Sequence, residues 1–411
     1  MRILFITDTL PYPPVSGNRL RVYHLCRQIA REHEVWLIAG ARSAEEAESP
    51  GVAHMREFCR EVIVVVREQY SKLQHVPGLV RYALAGRPLE HKFEHSQAME
   101  DAIRRVTAAH EFDIVHIEPS YSALYREALS QREHARVVLG FHNIEFQLFS
   151  DMVRVEHSPA GRLRAYLHSA LLRRWEPRYA ANFDRCITCS EDDRQLLLGA
   201  NPRLSVEVIP NGVDTQEYRP LPEENDRPTV LFIGSMNYAP CADGAVLFCE
   251  QMLPTIQQRI PDVDVWIVGR NPLPHVEKLA RDNVHVTGWV DDIMPFYRRS
   301  TVCIVPLRAG GGTRLKVLEA MALGRAMVST SVGCAGIDVV DGEHIFIADD
   351  TQDFAQKTVQ LLSDAQLRAK MVSNARKMAV EKYDWGVLAG DLMQIYRELL
   401  PADILQPDPH R

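Results

Sequence analysis

The chain has 411 residues, of which 46% are hydrophobic and 25% charged, and its formal net charge is −7. That length exceeds what a single ordinary core organises, so two or three domains are expected. The composition is globular, and the acidic balance supplies no basic field of the kind that draws a protein to nucleic acid.

The opening MRILFITDTL carries one cation and a short apolar run broken by Asp8. It is too short and too polar for a signal peptide, and no uninterrupted run of about 18 apolar residues follows, so a cytoplasmic location is expected. ILFITD reads as the first strand. A loop with Pro11, Pro13, Pro14 and Gly17 comes next, then a helical stretch, NRLRVYHLCRQIARE. EVWLIAG, EVIVVV, FDIVHIE, ARVVLGFHN and FDRCITCS continue as apolar, β-rich runs, with a helix around AMEDAIRRVTAAH. Continuous apolar strands separated by amphipathic helices predict a parallel sheet covered on both faces.

Residues 154–178 hold Arg154, Arg162, Arg164, Arg173, Arg174 and Arg178 against Glu156 and Glu176, with Leu163, Leu167, Ala170 and Leu171 at helical spacing. Such a basic amphipathic helix either lies on an anionic membrane surface or packs its apolar stripe inward and solvates its polar face. The sequence leaves both open; the first adds peripheral contact with the inner face of a membrane. In RCITCS, Cys186 and Cys189 have no second pair beside them, and residues three apart on a strand face opposite sides. They read as two buried thiols in a reducing compartment.

VEVIPNGVD breaks the pattern with the turn formers Pro210, Asn211 and Gly212, and the polar LPEENDRP at 221–228 reads as a linker. The alternation then restarts with TVLFIGSM, DVDVWIVG, NVHVTGWV, TVCIVPL, AMVSTS and HIFIAD. Residues 351–400 are mostly helical, with a break near 383–386. The predicted fold class is α/β: two doubly wound, Rossmann-like domains facing a central cleft, since open parallel sheets bind ligands at the carboxyl ends of their strands. The expected domains are residues 1–209 and 210–383, followed by a C-terminal helix and tail, 384–411, that crosses back to the first domain.

RAGGGTRLKVLEAMALG, residues 308–324, carries the chemistry. A strand, TVCIVPL, runs into three glycines, and Thr313 is the expected N-cap of a helix from about 313 to about 323, with Gly324 just past its end. Arg314 and Lys316 then place two cations at a helix start, where the dipole and free N–H groups favour anions. A bound diphosphate resolves that conflict, gripped by Arg as a fork and by Lys as a point charge. Gly310, Gly311 and Gly312 let such a ligand approach the backbone. Glu319 shares a face with Lys316 and is placed to accept hydrogen bonds from ribose hydroxyls. The bland alternative is two solvated cations and a carboxylate capping a neighbouring loop; the set as a whole favours a nucleotide-diphosphate clamp. No DxD triplet is present, and Asp192-Asp193 and Asp291-Asp292 begin expected helices, so no metal–diphosphate site is expected.

LEAMALGRAMVSTSVGCAGI resembles the donor-site signature of the family 4 retaining glycosyltransferases, which have the GT-B fold. VIPNGVD resembles the interdomain signature of that family and GWVDDIMPFYRRSTVCIVPL its preceding block. PYPPVSGNRLR and GFHNIEF extend the likeness over most of the chain. The resemblance implies transfer of a sugar from a nucleotide-diphosphate sugar with retention, the first domain serving the acceptor and the second the donor, with no cofactor. Glu319 matches the second of two family glutamates. Gly311 stands where the first would be, which rules out a covalent intermediate there. The family also places an Arg and a Lys after the first strand of the second domain, where this chain has GSMNYAPCADG; Arg314 and Lys316 are the candidates to replace them. His142 resembles the family's active-site histidine, which contacts the transferred sugar. The expected catalytic set is therefore His142, Lys316 and Arg314. The expected donor-binding set is Gly17, Gly234, Gly310, Gly311, Gly312, Thr313, Arg314, Lys316 and Glu319, with Asn18, Arg19, Glu118, Asn143 and Glu145 as further candidates. The GGGTRLKVLEA variant resembles sugar transferases of bacterial exopolysaccharide clusters, including exosortase-associated ones, so a glycan or lipid-linked glycan is the expected acceptor. A sugar-nucleotide epimerase of the same architecture and a non-catalytic nucleotide-binding scaffold are the alternatives.

Overall fold

The computed structural model describes residues 1–67, 95–130, 135–155, 158–222, 224, 226–310 and 312–401. The chain divides into two compact units, Met1–Pro210 with Leu388–Arg411, and Asn211–Val387.

The first unit runs β1 (Arg2–Thr7), α1 (Gly17–Ile29), β2 (Glu34–Ala41), β3 (Glu61–Val66), α2 (Gln97–Ala109), β4 (Ile114–Glu118), β5 (Arg136–Gly140), α3 (Glu145–Val155), α4 (Pro159–Ala180), β6 (Arg185–Thr188), α5 (Glu191–Ala200) and β7 (Val206–Val208). These strands form one sheet in the order β3-β2-β1-β4-β5-β6-β7. Every pairing is parallel, and Leu4 of β1 stands beside Trp36 on one side and Val115 on the other. The apolar runs are buried on both faces, with Ile6, Ile38, Ile103, Ile117 and Leu139 in one core. The seventh strand is an addition to the sequence reading: Val206–Val208 pairs with β6 before Pro210 ends the ladder. Three residues are too few to show a period beside the turn formers that follow.

Cys186 and Cys189 are both free and buried, and the Cys189 Sγ–H points at the Phe141 carbonyl oxygen, 3.2 Å away. Burial pushes these thiols up to about 12 and about 11, so they are inert packing groups.

α3 and α4 pack against each other. α4 turns Ala165, His168, Leu172 and Glu176 inward, with the His168 ring 4.2 Å from that of Phe149. The stripe at Leu163, Leu167 and Leu171 lies on the opposite side and is exposed by 59%, 53% and 43%. The stripe therefore does not pack inward; the helix buries Ala165, His168, Leu172 and Glu176 instead. Arg154 side-chain placement and Glu156 lie outside the described residues. Among those residues no helix is long and apolar enough to cross a membrane.

The second unit runs β8 (Thr229–Ile233), α6 (Ala239–Leu247), β9 (Asp264–Val268), β10 (Val284–Val286), α7 (Met294–Arg299), β11 (Val302–Val305), α8 (Leu315–Ala322), β12 (Ala326–Ser329), β13 (Phe346–Ile347), α9 (Thr351–Ser363) and α10 (Ala365–Lys382). Its sheet order is β10-β9-β8-β11-β12-β13, again all parallel. A last helix, α11 (Trp385–Leu399), begins in the second unit, and its residues from Leu388 belong to the first.

α8 begins at Leu315, two residues later than expected, with Arg314 at the cap position and no side-chain cap. Thr313 does not cap it; its Oγ1 is buried without a hydrogen-bond partner. The delay follows from the glycines, since Gly310 (φ +128) and Gly312 (φ +71) hold the incoming loop in left-handed backbone that glycine alone adopts freely. At the other end, Gly324 (φ +70) closes the helix as expected: its N–H donates to Met321 O at 3.2 Å and the Arg325 N–H to Ala320 O at 2.9 Å.

Candidate functional site

In a doubly wound sheet the crevice opens where strand order reverses, between β1 and β4 in the first unit and between β8 and β11 in the second. The residues singled out in the sequence fall at the carboxyl ends of these strands or one strand beyond.

In the second unit, Gly234 follows β8 directly, and a Cβ there would lie 2.8 Å from Lys316 Nζ and 2.9 Å from Cys241 Sγ. Only glycine leaves room for the lysine. Lys316, in the first turn of α8, reaches back until its Nζ stands 3.6 Å from Cys241 Sγ and 5.0 Å from the centre of the Phe232 ring. Among the described residues it makes no ion pair. Burial lowers its pKa, and Arg314 adds to that, while Cys241 and Glu319 act against it. Arg314 is buried and donates from Nη1 to Gly312 O at 3.1 Å. Burial likewise lowers its pKa. A Cβ on Gly310 would lie 2.7 Å from Arg314 Nη2 and 3.3 Å from the Tyr238 hydroxyl, so a larger residue would shift the guanidinium as well as strain the φ of +128°. Gly311 lies outside the described residues. Glu319 accepts a hydrogen bond from the Tyr297 hydroxyl at 3.3 Å; burial raises its pKa, opposed by that bond and by Lys316.

The structure thus brings Gly234, Gly310, Gly312, Arg314, Lys316 and Glu319 together at one end of the sheet, around a helix start that no side chain caps. Two cations thus stand together at this uncapped helix start, each with its pKa lowered by burial.

In the first unit, Gly17 opens α1 and is exposed, and Ser16 makes no capping bond. His142 follows β5 and is only 9% exposed. Its Nδ1 meets Asn18 Oδ1, and its Nε2 stands 3.1 Å from Glu118 Oε1, at ion-pair distance but without hydrogen-bond alignment. Glu118, a further candidate from sequence, proves central. Its Oε1 also accepts Arg21 Nε–H at 2.7 Å, and a Cβ on Gly140 would come within 2.7 Å of it. Burial opposes the charge on Glu118, but Arg21 and then His142 hold its carboxyl well below the usual range. Beside it, burial pulls the fully buried His116 down to about 4, and His116 Nδ1 bonds the Tyr396 hydroxyl of α11. Asn18 also reaches the Tyr121 hydroxyl at 3.5 Å, which donates to Asp8 Oδ2 at 2.9 Å. Arg19 is turned elsewhere, paired to Glu46 at 2.6 Å. Asn143 is half-buried beside His142, and Glu145 begins α3.

Sequence reasoning missed Arg21, Glu176 and Tyr297. Arg21 reads as a surface charge within NRLRVYHL, yet it is fully buried and donates from Nη1 to Ile209 O at 2.9 Å and Pro210 O at 3.0 Å. Glu176 accepts the backbone N–H of Glu145 at 3.3 Å and of Phe146 at 3.2 Å, so α4 holds the start of α3 just beyond His142. Burial, then the nearby Glu145, raises the Glu176 carboxyl to about 8. Among the described residues no group of three or more His, Cys, Asp or Glu is placed to hold a metal ion.

The model of the "Glycosyltransferase Family 4" family matches residues 15–217, and that of the "Glycosyl transferases group 1" family matches residues 227–364. A phosphatidyl-myo-inositol mannosyltransferase of Mycolicibacterium smegmatis is 29% identical over 320 residues, covering 74% of this chain and 75% of the relative. An uncharacterised 44.6 kDa protein from the cps region of Klebsiella pneumoniae is 21% identical over 93% of this chain and 96% of its own length. Among solved structures, sucrose-phosphate synthase from Thermosynechococcus elongatus superposes with a TM-score of 0.68 at 17% identity, covering 97% of this chain and 99% of that one. Anabaena HepE in complex with UDP-glucose superposes with a TM-score of 0.64 at 16% identity, over 97% of this chain and 100% of that one.

Proposed function

Because the chain belongs to the family 4 glycosyltransferases, with the two Rossmann-like domains of the GT-B fold, we propose that it moves a sugar from a nucleotide-diphosphate sugar to a glycan or lipid-linked glycan, with retention, in bacterial exopolysaccharide assembly. The observation that carries this reading is Lys316. An ammonium half-enclosed by Gly234, Phe232 and Cys241, with no carboxylate at ion-pair distance among the described residues, costs stability unless an anion arrives. The diphosphate is that anion. Arg314 joins Lys316 in neutralising it as it leaves, which stabilises the charge that develops in the transition state. Glu319, held by Tyr297, takes the ribose hydroxyls, and Gly310 and Gly312 admit the phosphates to the backbone. In the first unit, Gly17 and the His142–Asn18–Glu118 group serve the transferred sugar, the His142 imidazole being held through Nδ1 by Asn18 with Glu118 3.1 Å from its Nε2. No resident metal or cofactor takes part in this reading.

The relatives support the substrate classes. HepE is described in complex with UDP-glucose, the mycobacterial relative is named for mannosyl transfer to phosphatidyl-myo-inositol, and the Klebsiella relative is described as encoded in a cps region.

The test is thermal stability against UDP, GDP, ADP, dTDP and CMP, for the protein and for Lys316→Ala. A ligand that binds only the folded state adds about 2.7 kcal/mol at a hundredfold excess over its Kd. One nucleoside diphosphate should raise the melting temperature, and Lys316→Ala should abolish the rise. No rise with any nucleotide at millimolar concentration would sink the donor site.

A further inference from the structure

α4 carries an outward surface that the transfer reaction does not use. Leu163, Tyr166, Leu167, Ala170 and Leu171 follow one another at helical spacing, and all are exposed, Tyr166 by 61%. Arg162, Arg164, Arg173, Arg174 and Arg178 are exposed around and along this stripe. The one acid on the helix, Glu176, is buried on the opposite face, where it holds the start of α3. The outward side is therefore apolar along its middle and positive at its borders, in a chain whose formal net charge is −7.

We propose that α4 is a seat on the surface of an anionic lipid bilayer. The apolar stripe would enter the boundary between headgroups and acyl chains, the arginines would meet lipid phosphates, and Tyr166 would stand at headgroup level, where a ring with a polar tip is favoured. Charge decides between occupants. A second copy docking stripe to stripe would bring two sets of arginines together with no exposed acid on either helix to offset them, whereas an anionic lipid surface offsets them all. The seat is tied to the chemistry of its own unit: Glu176 of α4 fixes the first turn of α3, which begins three residues after His142. The inference stands on α4 alone and holds whichever nucleotide the second unit takes.

The test is co-sedimentation of the full chain with vesicles of phosphatidylcholine alone and of phosphatidylcholine mixed with phosphatidylglycerol. The protein should pellet with the mixed vesicles and stay in solution with the neutral ones. Salt should weaken the binding. An Arg164→Glu, Arg174→Glu double variant should lose it at least about tenfold, given about fivefold for each arginine near an anionic surface. A Leu163→Ser, Leu167→Ser double variant should lose it as well, while melting at the same temperature as the wild type without lipid. Equal sedimentation with both vesicles, or with neither, overturns the proposal. So does a Leu163→Ser, Leu167→Ser variant that unfolds, since the stripe would then be packed within the chain. A wild type that sediments as a dimer, and as a monomer once the leucines are replaced, overturns it too and assigns the stripe to a second copy.

Discussion

The two strand-end sites arise from the same sheet topology and treat charge in opposite ways. At the reversal point of the first unit, Glu118 lies between Arg21 and His142, and Asp8 takes the Tyr121 hydroxyl. At that of the second, Arg314 and Lys316 stand together among Tyr238, Cys241 and Phe232, and Lys316 makes no ion pair among the described residues. A group whose charge is met inside the chain positions other groups; in the proposed function Lys316 instead keeps its charge for the donor's diphosphate.

That contrast breaks most visibly at Arg21. Replacing it (Arg21→Met) strips Glu118 of its main partner in a fully buried setting, and urea unfolding should show a loss of about 3–5 kcal/mol. A loss well under 1 kcal/mol would mean the first site is as open to ligands as the second. Lys316→Met should show the reverse profile. Its kcat/KM should fall by about 10²–10³, on the order of 2.7–4 kcal/mol, while its melting temperature without nucleotide holds or rises because a half-buried ammonium is gone. A variant that melts earlier would show that Lys316 supports the fold. Gly234→Ala pushes a methyl to 2.8 Å from Lys316 Nζ, and the overpacking should cost about 1–3 kcal/mol of nucleotide binding, read by calorimetry.

Glu176 sharpens the contrast: it is an acid of the first unit buried with no cation at ion-pair distance among the described residues. Its carboxyl rises from 4.5 to about 8 on folding. Stability from this group is then full below about 4.5 and is lost as pH climbs through about 8, by up to about 1.4 kcal/mol per pH unit near neutrality. Thermal melts of Glu176→Gln between pH 6 and pH 9 should be flatter than those of the wild type; parallel curves would place the proton elsewhere.

The fold was legible wherever a strand is buried on both faces, because ILFI, VLFI and VCIV are apolar without interruption. It was less legible where a strand is short: Val206–Val208 disappears into the turn that follows. The cations of the second site showed in the sequence because they contradict a local rule, positive charge at a helix start. Thr313 misled for a related reason: it has the composition of a cap, but glycine backbone angles decide where the helix begins. Arg21 could not be seen, since its partners are 97 and 188 residues away and a helix pattern records only near neighbours. The stripe on α4 was visible as a stripe. Its direction was not, because that depends on which face meets α3.

Arg21 does more than hold Glu118. The same guanidinium ties down the carbonyl groups of Ile209 and Pro210, the last residues before the chain enters the second unit. Tyr396, on the helix that brings the chain back, bonds His116, itself 3.7 Å from Glu118 Oε2. The outgoing and the returning strand of the polypeptide are thus moored to a single buried knot, and the imidazole of His142 is moored to it as well. Orientation of the histidine and anchorage of the tether therefore rest on the same buried side chains.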